Sequence, residues 1–159
     1  MSLHKNPQLF KEIIDEISTS KGYKRGIIEK DYYVTLYLQQ LNQNLPELVF
    51  RGGTSLSKCY GVIDRFSEDI DVTVNFESKL TEGQRKNIKA AVVKTAAELN
   101  MNILNLADTK SGREYNDYKI DFNFVIGTEL SNSSKIKMSC ALYSSNIPLR
   151  KSVSYSLIE

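Results

Sequence analysis

The chain has 159 residues, which suits one domain with a hydrophobic core of its own. Its hydrophobic share of 41% argues against intrinsic disorder, because enough apolar surface is present to offset the entropy of the chain. A net charge of +2 does not by itself indicate a nucleic-acid partner, and a single histidine argues against zinc sites and Ser-His or Cys-His catalysis.

Two amphipathic helices are predicted at the start of the chain. Apolar residues at helical spacing predict the first over residues 9–17, with Gly22 as a plausible stop. A second pattern of the same kind predicts a helix over residues 27–41. The only histidine, His4, precedes both helices and is expected to lie in a frayed chain end.

A short strand and a short helix are predicted next. Residues 48–50 are apolar and end at Gly52 and Gly53, which indicates a buried strand followed by a bend. Thr54 and Ser55 can cap a helix that continues to about residue 60.

Strands and one long helix are predicted for the remainder. Alternating apolar and polar residues predict strands over residues 69–76, 103–106, 115–126 and 136–142. Thr81 and Gln84 have the spacing of a capping box, which opens a helix that runs to Leu99.

This order of elements predicts a single α+β, or mixed α/β, domain with a small mixed sheet flanked by helices. The expected domain spans residues 1–159, with amino-terminal helices over 1–45 and a core over 46–145.

The bend after the first predicted strand has the features of a triphosphate cradle. Gly52 and Gly53 have no Cβ atoms, so a bulky ligand can approach the backbone there. The amides that open the next helix favour an anion, the hydroxyls of Thr54 and Ser55 add donors, and Lys58 adds a positive charge. The spacing differs from that of a Walker A loop.

Asp69 and Asp71 are two residues apart in a predicted strand, so both side chains project from one face. Carboxylates this close repel each other unless a cation lies between them, and oxygen-only ligands suit Mg²⁺ or Mn²⁺. A lone Gly-Gly is usually a turn and a lone Asp-x-Asp usually a solvated strand end. The two motifs together, with a helix between them, favour a metal-dependent phosphoryl-transfer site.

Around these residues the sequence resembles the AbiEii/AbiGii toxin family of nucleotidyltransferases, which belong to the polymerase-β superfamily. The matching segments are residues 50–58 (FRGGTSLSK), residues 60–71 (YGVIDRFSEDID) and, more weakly, residues 29–34 (EKDYYV). The resemblance covers roughly residues 27–142. It implies a minimal nucleotidyltransferase fold and the transfer of a nucleoside monophosphate from an NTP to an acceptor. In characterised relatives the acceptor is RNA, notably the tRNA 3′ end, and the setting is a toxin–antitoxin or abortive-infection system with a cognate antitoxin.

The resemblance also implies roles for individual residues. Asp69 and Asp71 would bind metal. The residues that would hold or support the nucleotide are Gly52, Gly53, Thr54, Ser55, Lys58, Arg65 and Ser67.

The sequence departs from the family pattern in two places. A third acidic residue is usual on a later strand, where this chain has Ser139, and Asp121 is expected to replace it as a catalytic residue if its strand is adjacent. Relatives usually continue into a carboxy-terminal helical region, which is expected to be missing here. Both departures keep open a rival function, a catalytically impaired binding or regulatory module.

The residues alone allow two further interpretations. The stretch from Asp69 to Thr73 also fits the Asp-x-Asp-x-Thr motif of haloacid dehalogenase-like phosphatases, but that motif follows an apolar strand, and here residues 65–68 are RFSE. Tyr32, Tyr33 and Tyr37 could stack on a base, yet tyrosines at helical spacing are more often packing residues. The spacing of Lys30 and Asp31 predicts a solvated face.

Localisation follows from what the sequence lacks. It shows neither a signal peptide nor a long apolar run, so a cytoplasmic protein without a membrane partner is expected. Cys59 and Cys140 are far apart and are expected to be buried free thiols.

Overall fold

Helices cover one face of a mixed five-stranded sheet. The structure is a computed structural model that describes residues 3–58, 69–74, 79–109, 115–126 and 135–144. The strands are β1 (Leu48–Arg51), β2 (Asp69–Val74), β3 (Asn102–Ile103), β4 (Tyr115–Asp121) and β5 (Lys135–Ser144). The α-helices are α1 (Pro7–Lys21), α2 (Arg25–Asn44), α3 (Gly52–Lys58) and α4 (Glu82–Glu98), and two 3₁₀ helices span Leu3–Lys5 and Leu106–Asp108.

The sheet has the order β1-β2-β5-β4-β3. β2 and β5 are parallel, and the other neighbouring pairs are antiparallel. The strand that comes last along the described chain therefore lies in the centre of the sheet. This arrangement confirms the predicted α+β class with a mixed sheet.

Local signals set the ends of α1 and α4. The side chain of Asn6 accepts a hydrogen bond from the Leu9 amide at the start of α1, and Gly22 ends that helix in the left-handed conformation, at φ 72°. Thr81 and Gln84 form the predicted capping box at the start of α4. The stop at Gly22 and the capping box confirm the predictions from the sequence, whereas α1 begins at Pro7, two residues before the predicted start.

The core lies between the sheet and helices α2 and α4. Tyr37, Leu38 and Leu41 of α2 are fully buried, and the Tyr37 hydroxyl donates a hydrogen bond to the carbonyl oxygen of Val92 in α4, at 3.1 Å. The ring of Tyr33 lies 4.4 Å, centroid to centroid, from that of Phe122. The tyrosines of α2 thus pack within the protein, as predicted.

Other expectations for the amino-terminal region were wrong. Lys30 and Asp31 are buried rather than solvated, because α2 is covered on more than one side. His4 lies in the first 3₁₀ helix, and its Nδ1 atom is 2.9 Å from the Tyr32 hydroxyl. The chain is therefore not frayed at His4.

Three elements after β1 differ from the sequence prediction. Helix α3 begins at Gly52 instead of at a cap formed by residues 54 and 55. β3 is only two residues long, since the chain turns into a 3₁₀ helix where the strand was predicted to continue. β4 ends at Asp121, opposite Lys135, because the following residues leave β5 and bend to α2, where the Val125 amide donates to the Glu29 carboxylate at 2.6 Å.

The two faces of the sheet differ in exposure. Ile120, Ile136 and Met138 are fully buried in the core, whereas Lys119 and Lys137, on the opposite face, are exposed. We call this opposite side of β2, β5 and β4 the open face. Cys140 is buried and free, as predicted, and burial raises the pKa of its thiol to about 12. Cys59 lies outside the described residues. Within the described ranges, none of the helices is long and apolar enough to span a membrane.

Candidate active site

Gly52 and Asp71 lie in contact where β1 meets α3. The antiparallel pairing of β1 and β2 places Arg51 directly opposite Asp71, so the next residue, Gly52, adjoins the aspartate. Gly52 has φ 65°, and a Cβ atom added to it would lie 2.5 Å from Oδ2 of Asp71. Glycine is therefore required both for the backbone conformation and for the space beside the carboxylate.

Asp69 and Asp71 project from the open face of β2, as their spacing predicts. Asp69 is exposed and Asp71 is half-buried. The intervening Ile70 and the following Val72 point into the core, with 0% and 2% of their surface exposed. The strand is thus fixed by its apolar face and presents two carboxylates on the other.

A row of polar side chains crosses the sheet from Asp71. In the register of the strands, Asp71 pairs with Ser139 of β5, and Ser139 pairs with Asp117 of β4. The hydroxyl of Ser139 donates a hydrogen bond to Oδ1 of Asp117, at 2.8 Å. The serine opposite Asp71 therefore holds a carboxylate from the next strand.

Asp117 is a candidate carboxylate that the sequence did not indicate, since Asp121 was predicted for the third acid. Both aspartates lie on the same face of β4, because they are an even number of residues apart. Asp121 is paired with Lys135, four residues further along the ladder, and is not in the row of Asp71 and Ser139. Strand alternation identifies the shared face, but only the register with β5 distinguishes the two residues.

A cavity of about 300 Å³ opens beside this row. On the β1 side, the cavity is lined by Arg51, Gly52 and Asp71. On the side of β5 and β4, it is lined by Ser139 and Tyr115. Tyr115 is 49% exposed. The volume is at the lower end of the range for small-molecule sites. Arg51 and Tyr115 are additional candidate residues that were not assigned a role from the sequence.

The other predicted nucleotide-binding residues are only partly described. Gly53 lies in the first turn of α3, and Ser55 is buried within the same helix. Thr54 and Lys58 belong to α3 as well, but their side chains are not among the described ones. Arg65 and Ser67 lie outside the described residues, so their predicted roles stay predictions.

The donor set suits a hard divalent cation. Mg²⁺ in nucleotide sites is typically held by one or two carboxylates together with substrate phosphates, and Asp69 and Asp71 supply such a pair. Among the residues that the structure describes, no group of three His, Cys, Asp or Glu side chains is placed to hold a metal. Asp69 and Asp71, of which Asp71 lines the cavity, suit Mg²⁺ or Mn²⁺ when substrate phosphate oxygens supply further ligands.

Comparison with known proteins shows the family of the chain. A family model described as "Nucleotidyl transferase AbiEii toxin, Type IV TA system" matches residues 36–154 of the chain. The matched range begins within α2 and includes all five strands of the sheet. No curated protein and no solved structure matches.

Proposed function

The chain belongs to the AbiEii family of nucleotidyltransferase toxins of type IV toxin–antitoxin systems, and we propose that it transfers a nucleoside monophosphate from an NTP to an RNA acceptor with Mg²⁺ or Mn²⁺ as cofactor. The tRNA 3′ end is the acceptor that the family resemblance favours. A cognate antitoxin is the counterpart that such a family implies, and a cytoplasmic location would give access to both NTPs and tRNA.

One observation carries this proposal: Gly52 and Asp71 are in contact at the mouth of a single cavity. The two halves of the sequence motif, the glycine bend and the acidic strand, therefore converge on the same volume. A triphosphate that enters the cavity would meet the backbone at Gly52 on one side and the carboxylate of Asp71 on the other. Arg51, which lines the same cavity, adds a positive charge for phosphate oxygens.

Asp69 and Asp71 would hold the metal on the open face of β2. When bound, Mg²⁺ would neutralise charge on the triphosphate and on the leaving pyrophosphate. Gly53, Thr54, Ser55 and Lys58 would hold phosphates from α3, and Arg65 and Ser67 would support the nucleotide.

Asp117 is the carboxylate best placed to accept the proton of the attacking hydroxyl. It shares the row of Asp71, and the hydrogen bond from Ser139 fixes its orientation. Ser139 is a positioning residue in this scheme. Asp121, named from the sequence for the same role, lies opposite Lys135 and is the alternative that mutation has to exclude.

The test is incubation of the purified protein with each α-³²P-labelled NTP, Mg²⁺ and total RNA, followed by separation of the RNA on a gel. We expect label in RNA that depends on Mg²⁺ and is lost in Asp71→Asn. Absence of label with all four NTPs, with either Mg²⁺ or Mn²⁺, would contradict the proposal.

The rival function is a non-catalytic binding module with the same fold. Its support is the residue opposite Asp71, which is Ser139 rather than an acid. The module would retain NTP binding in the cavity without transfer. Isothermal titration calorimetry with NTP and Mg²⁺, run beside the labelling assay, separates the two: binding without label favours the module, and label excludes it.

A further inference from the structure

We propose that the open face beside Asp69, centred on Lys119 and Lys137, binds the phosphodiester backbone of a single-stranded polynucleotide as it delivers the acceptor end. This inference rests on the proposed transferase function and assigns its acceptor to a surface of this chain.

Two lysines lie directly opposite each other on this face. Lys119 of β4 pairs with Lys137 of β5, and Lys137 in turn pairs with Asp69 of β2. All three residues are exposed. Neighbouring strands are about 4.8 Å apart. The two ammonium groups therefore adjoin the predicted metal site, in the row of Asp69, which is next to the row of Asp71.

Like charges placed directly opposite each other destabilise a sheet by a few tenths of a kcal/mol to about 1 kcal/mol. Within the described part of the chain, neither Lys119 nor Lys137 belongs to an ion pair. A bound metal would also occupy Asp69, which is the cross-strand neighbour of Lys137. An external anion is therefore the group that would relieve the repulsion. Lys135, in contrast, is opposite Asp121 and has an acid as its cross-strand neighbour.

The geometry of the reaction places the acceptor on the same side. The attacking hydroxyl and the leaving pyrophosphate lie on opposite sides of the transferred phosphorus. The predicted phosphate cradle at Gly52 borders Asp71 from β1, which is an edge strand. The side of Asp71 that is remote from the cradle is formed by β5 and β4, where Lys119 and Lys137 lie.

An aromatic side chain adjoins the same route. Tyr115, 49% exposed, lies on the face of β4 that also carries Asp117 and Lys119, and it lines the cavity. Stacking on an aromatic ring contributes about 1–3 kcal/mol per base in single-strand binding and requires no particular sequence. Tyr115 lies four residues from Lys119 along β4, with Asp117 between them, so a polynucleotide that contacts both would cross the row of Asp71. An exposed ring on the same face as two lysines favours a polynucleotide over an acidic protein, which needs no stacking partner.

The test measures RNA binding in the absence of NTP and metal, so that it does not depend on transfer. The probe is a fluorescein-labelled 20-nucleotide single-stranded RNA of mixed sequence, and anisotropy is read from 50 to 200 mM NaCl. The variant is Lys119→Gln/Lys137→Gln. The matched control is Lys86→Gln/Lys94→Gln, which removes the same charge from exposed positions on α4, on the helical side of the sheet.

We expect the first variant to bind roughly tenfold more weakly at the lowest salt concentration, with a salt slope smaller by about 1.4, since each single-strand phosphate contact contributes about 0.7. The control should bind like the wild type. Circular dichroism should show both variants folded, because the four lysines are exposed. Tyr115→Ala should weaken binding without changing the salt slope.

Three results would overturn the proposal: unchanged binding in Lys119→Gln/Lys137→Gln, equal weakening in the two double variants, or displacement of the RNA by polyglutamate at equal charge concentration. The last result would assign the surface to an acidic protein. If RNA binding depends on the two lysines but no label is ever transferred, the proposed function fails and the binding surface remains. If label is transferred but RNA binding does not depend on the two lysines, the proposed function stands and only the proposed binding surface is wrong.

Discussion

The Cα atom of Gly52 packs so closely against the carboxylate of Asp71 that no side chain fits between them: an added Cβ atom would lie 2.5 Å from Oδ2 and 3.3 Å from Cγ. Gly52, in the predicted phosphate cradle, thus limits the positions that the carboxylate of Asp71, in the predicted metal site, can take.

Gly52→Ala should therefore destabilise the protein more than a glycine substitution that only strains the backbone. Gly22→Ala is the matched control, because Gly22 has a similar φ of 72° and nothing within 4 Å of an added Cβ atom. The control should lose about 1–2 kcal/mol of unfolding free energy, the typical strain of a left-handed residue. Gly52→Ala should lose a further 1–3 kcal/mol, roughly the cost of overpacking. Urea denaturation measures both losses.

A double variant isolates the steric part of that loss. In an Asp71→Ala background, the added methyl group at Gly52 no longer meets a carboxylate, so its cost should fall to that of Gly22→Ala. An unchanged cost would show that the contact with Asp71 is not the cause.

Asp69→Asn and Asp71→Asn should each abolish metal-dependent NTP binding, since an amide is a poorer ligand for Mg²⁺ than a carboxylate and carries no charge. Both side chains leave the core face of β2 untouched, so the fold should persist. Calorimetric titration with NTP in the presence of Mg²⁺ is the measurement, and Glu16→Asn on the surface of α1 is the control. If both variants bind NTP with wild-type affinity, the predicted metal site on β2 is wrong.

Asp117→Asn and Asp121→Asn should differ in transfer activity. Loss of a general base typically lowers the rate by 10²–10⁴-fold, and we expect that loss for Asp117, which shares the row of Asp71 and Ser139. Asp121→Asn should retain activity close to that of the wild type. Single-turnover labelling measures both, and the reverse order of effects would restore the role first predicted for Asp121.

Ser139→Ala should produce an intermediate loss, because it removes the hydrogen bond to Oδ1 of Asp117 but leaves the carboxylate in place. The loss should disappear in an Asp117→Asn background, since the Ser139 hydroxyl then has no carboxylate to hold. A loss of the same size in both backgrounds would limit Ser139 to packing.

Glu29 should make the folded state less stable as the pH rises. Burial raises the pKa of its carboxyl above the ordinary value of 4.5, so the folded protein binds the proton more tightly than the unfolded chain. The stability that this group contributes is therefore present below pH 4.5 and is lost as the pH rises through the higher folded-state pKa. Glu29→Gln keeps an oxygen acceptor for the Val125 amide and cannot ionise, so its stability should not fall over that window.

Urea unfolding from pH 4 to pH 7 tests this dependence, with the exposed Glu16→Gln as the control. Glu29→Ala should cost about 1–3 kcal/mol at every pH, because the amide of Val125 loses its acceptor. A Glu29→Gln protein with the pH dependence of the wild type would assign the effect to another group.

Local features of the sequence predicted the local features of the fold. Gly22 and the Thr81–Gln84 box act through local backbone conformation and hydrogen bonds within a few residues, so the end of α1 and the start of α4 could be located without tertiary information. The meeting of Gly52 with Asp71 was also predictable, since two motifs with phosphate and metal chemistry lie within a short stretch of chain.

Register and burial could not be predicted in the same way. Asp117 and Asp121 occupy equivalent positions in an alternating pattern, and their difference arises only from pairing with β5, a distant segment. Lys30 and Asp31 occupy polar positions of a helical pattern, yet α2 is covered by other elements and buries them. In both cases the deciding contact is long-range, and no local propensity reports it.

The position of β5 has a consequence for the synthesis of the protein. β5 is inserted between β2 and β4, although both of those strands precede it along the chain. While a nascent chain emerges from the ribosome, the strand that carries Asp69 and Asp71 has only β1 as a neighbour, and β4 has only β3. The two hairpin-like halves cannot join until residues 135–144 have left the exit tunnel. The row from Asp71 through Ser139 to Asp117 can therefore form only after β5 has been synthesised.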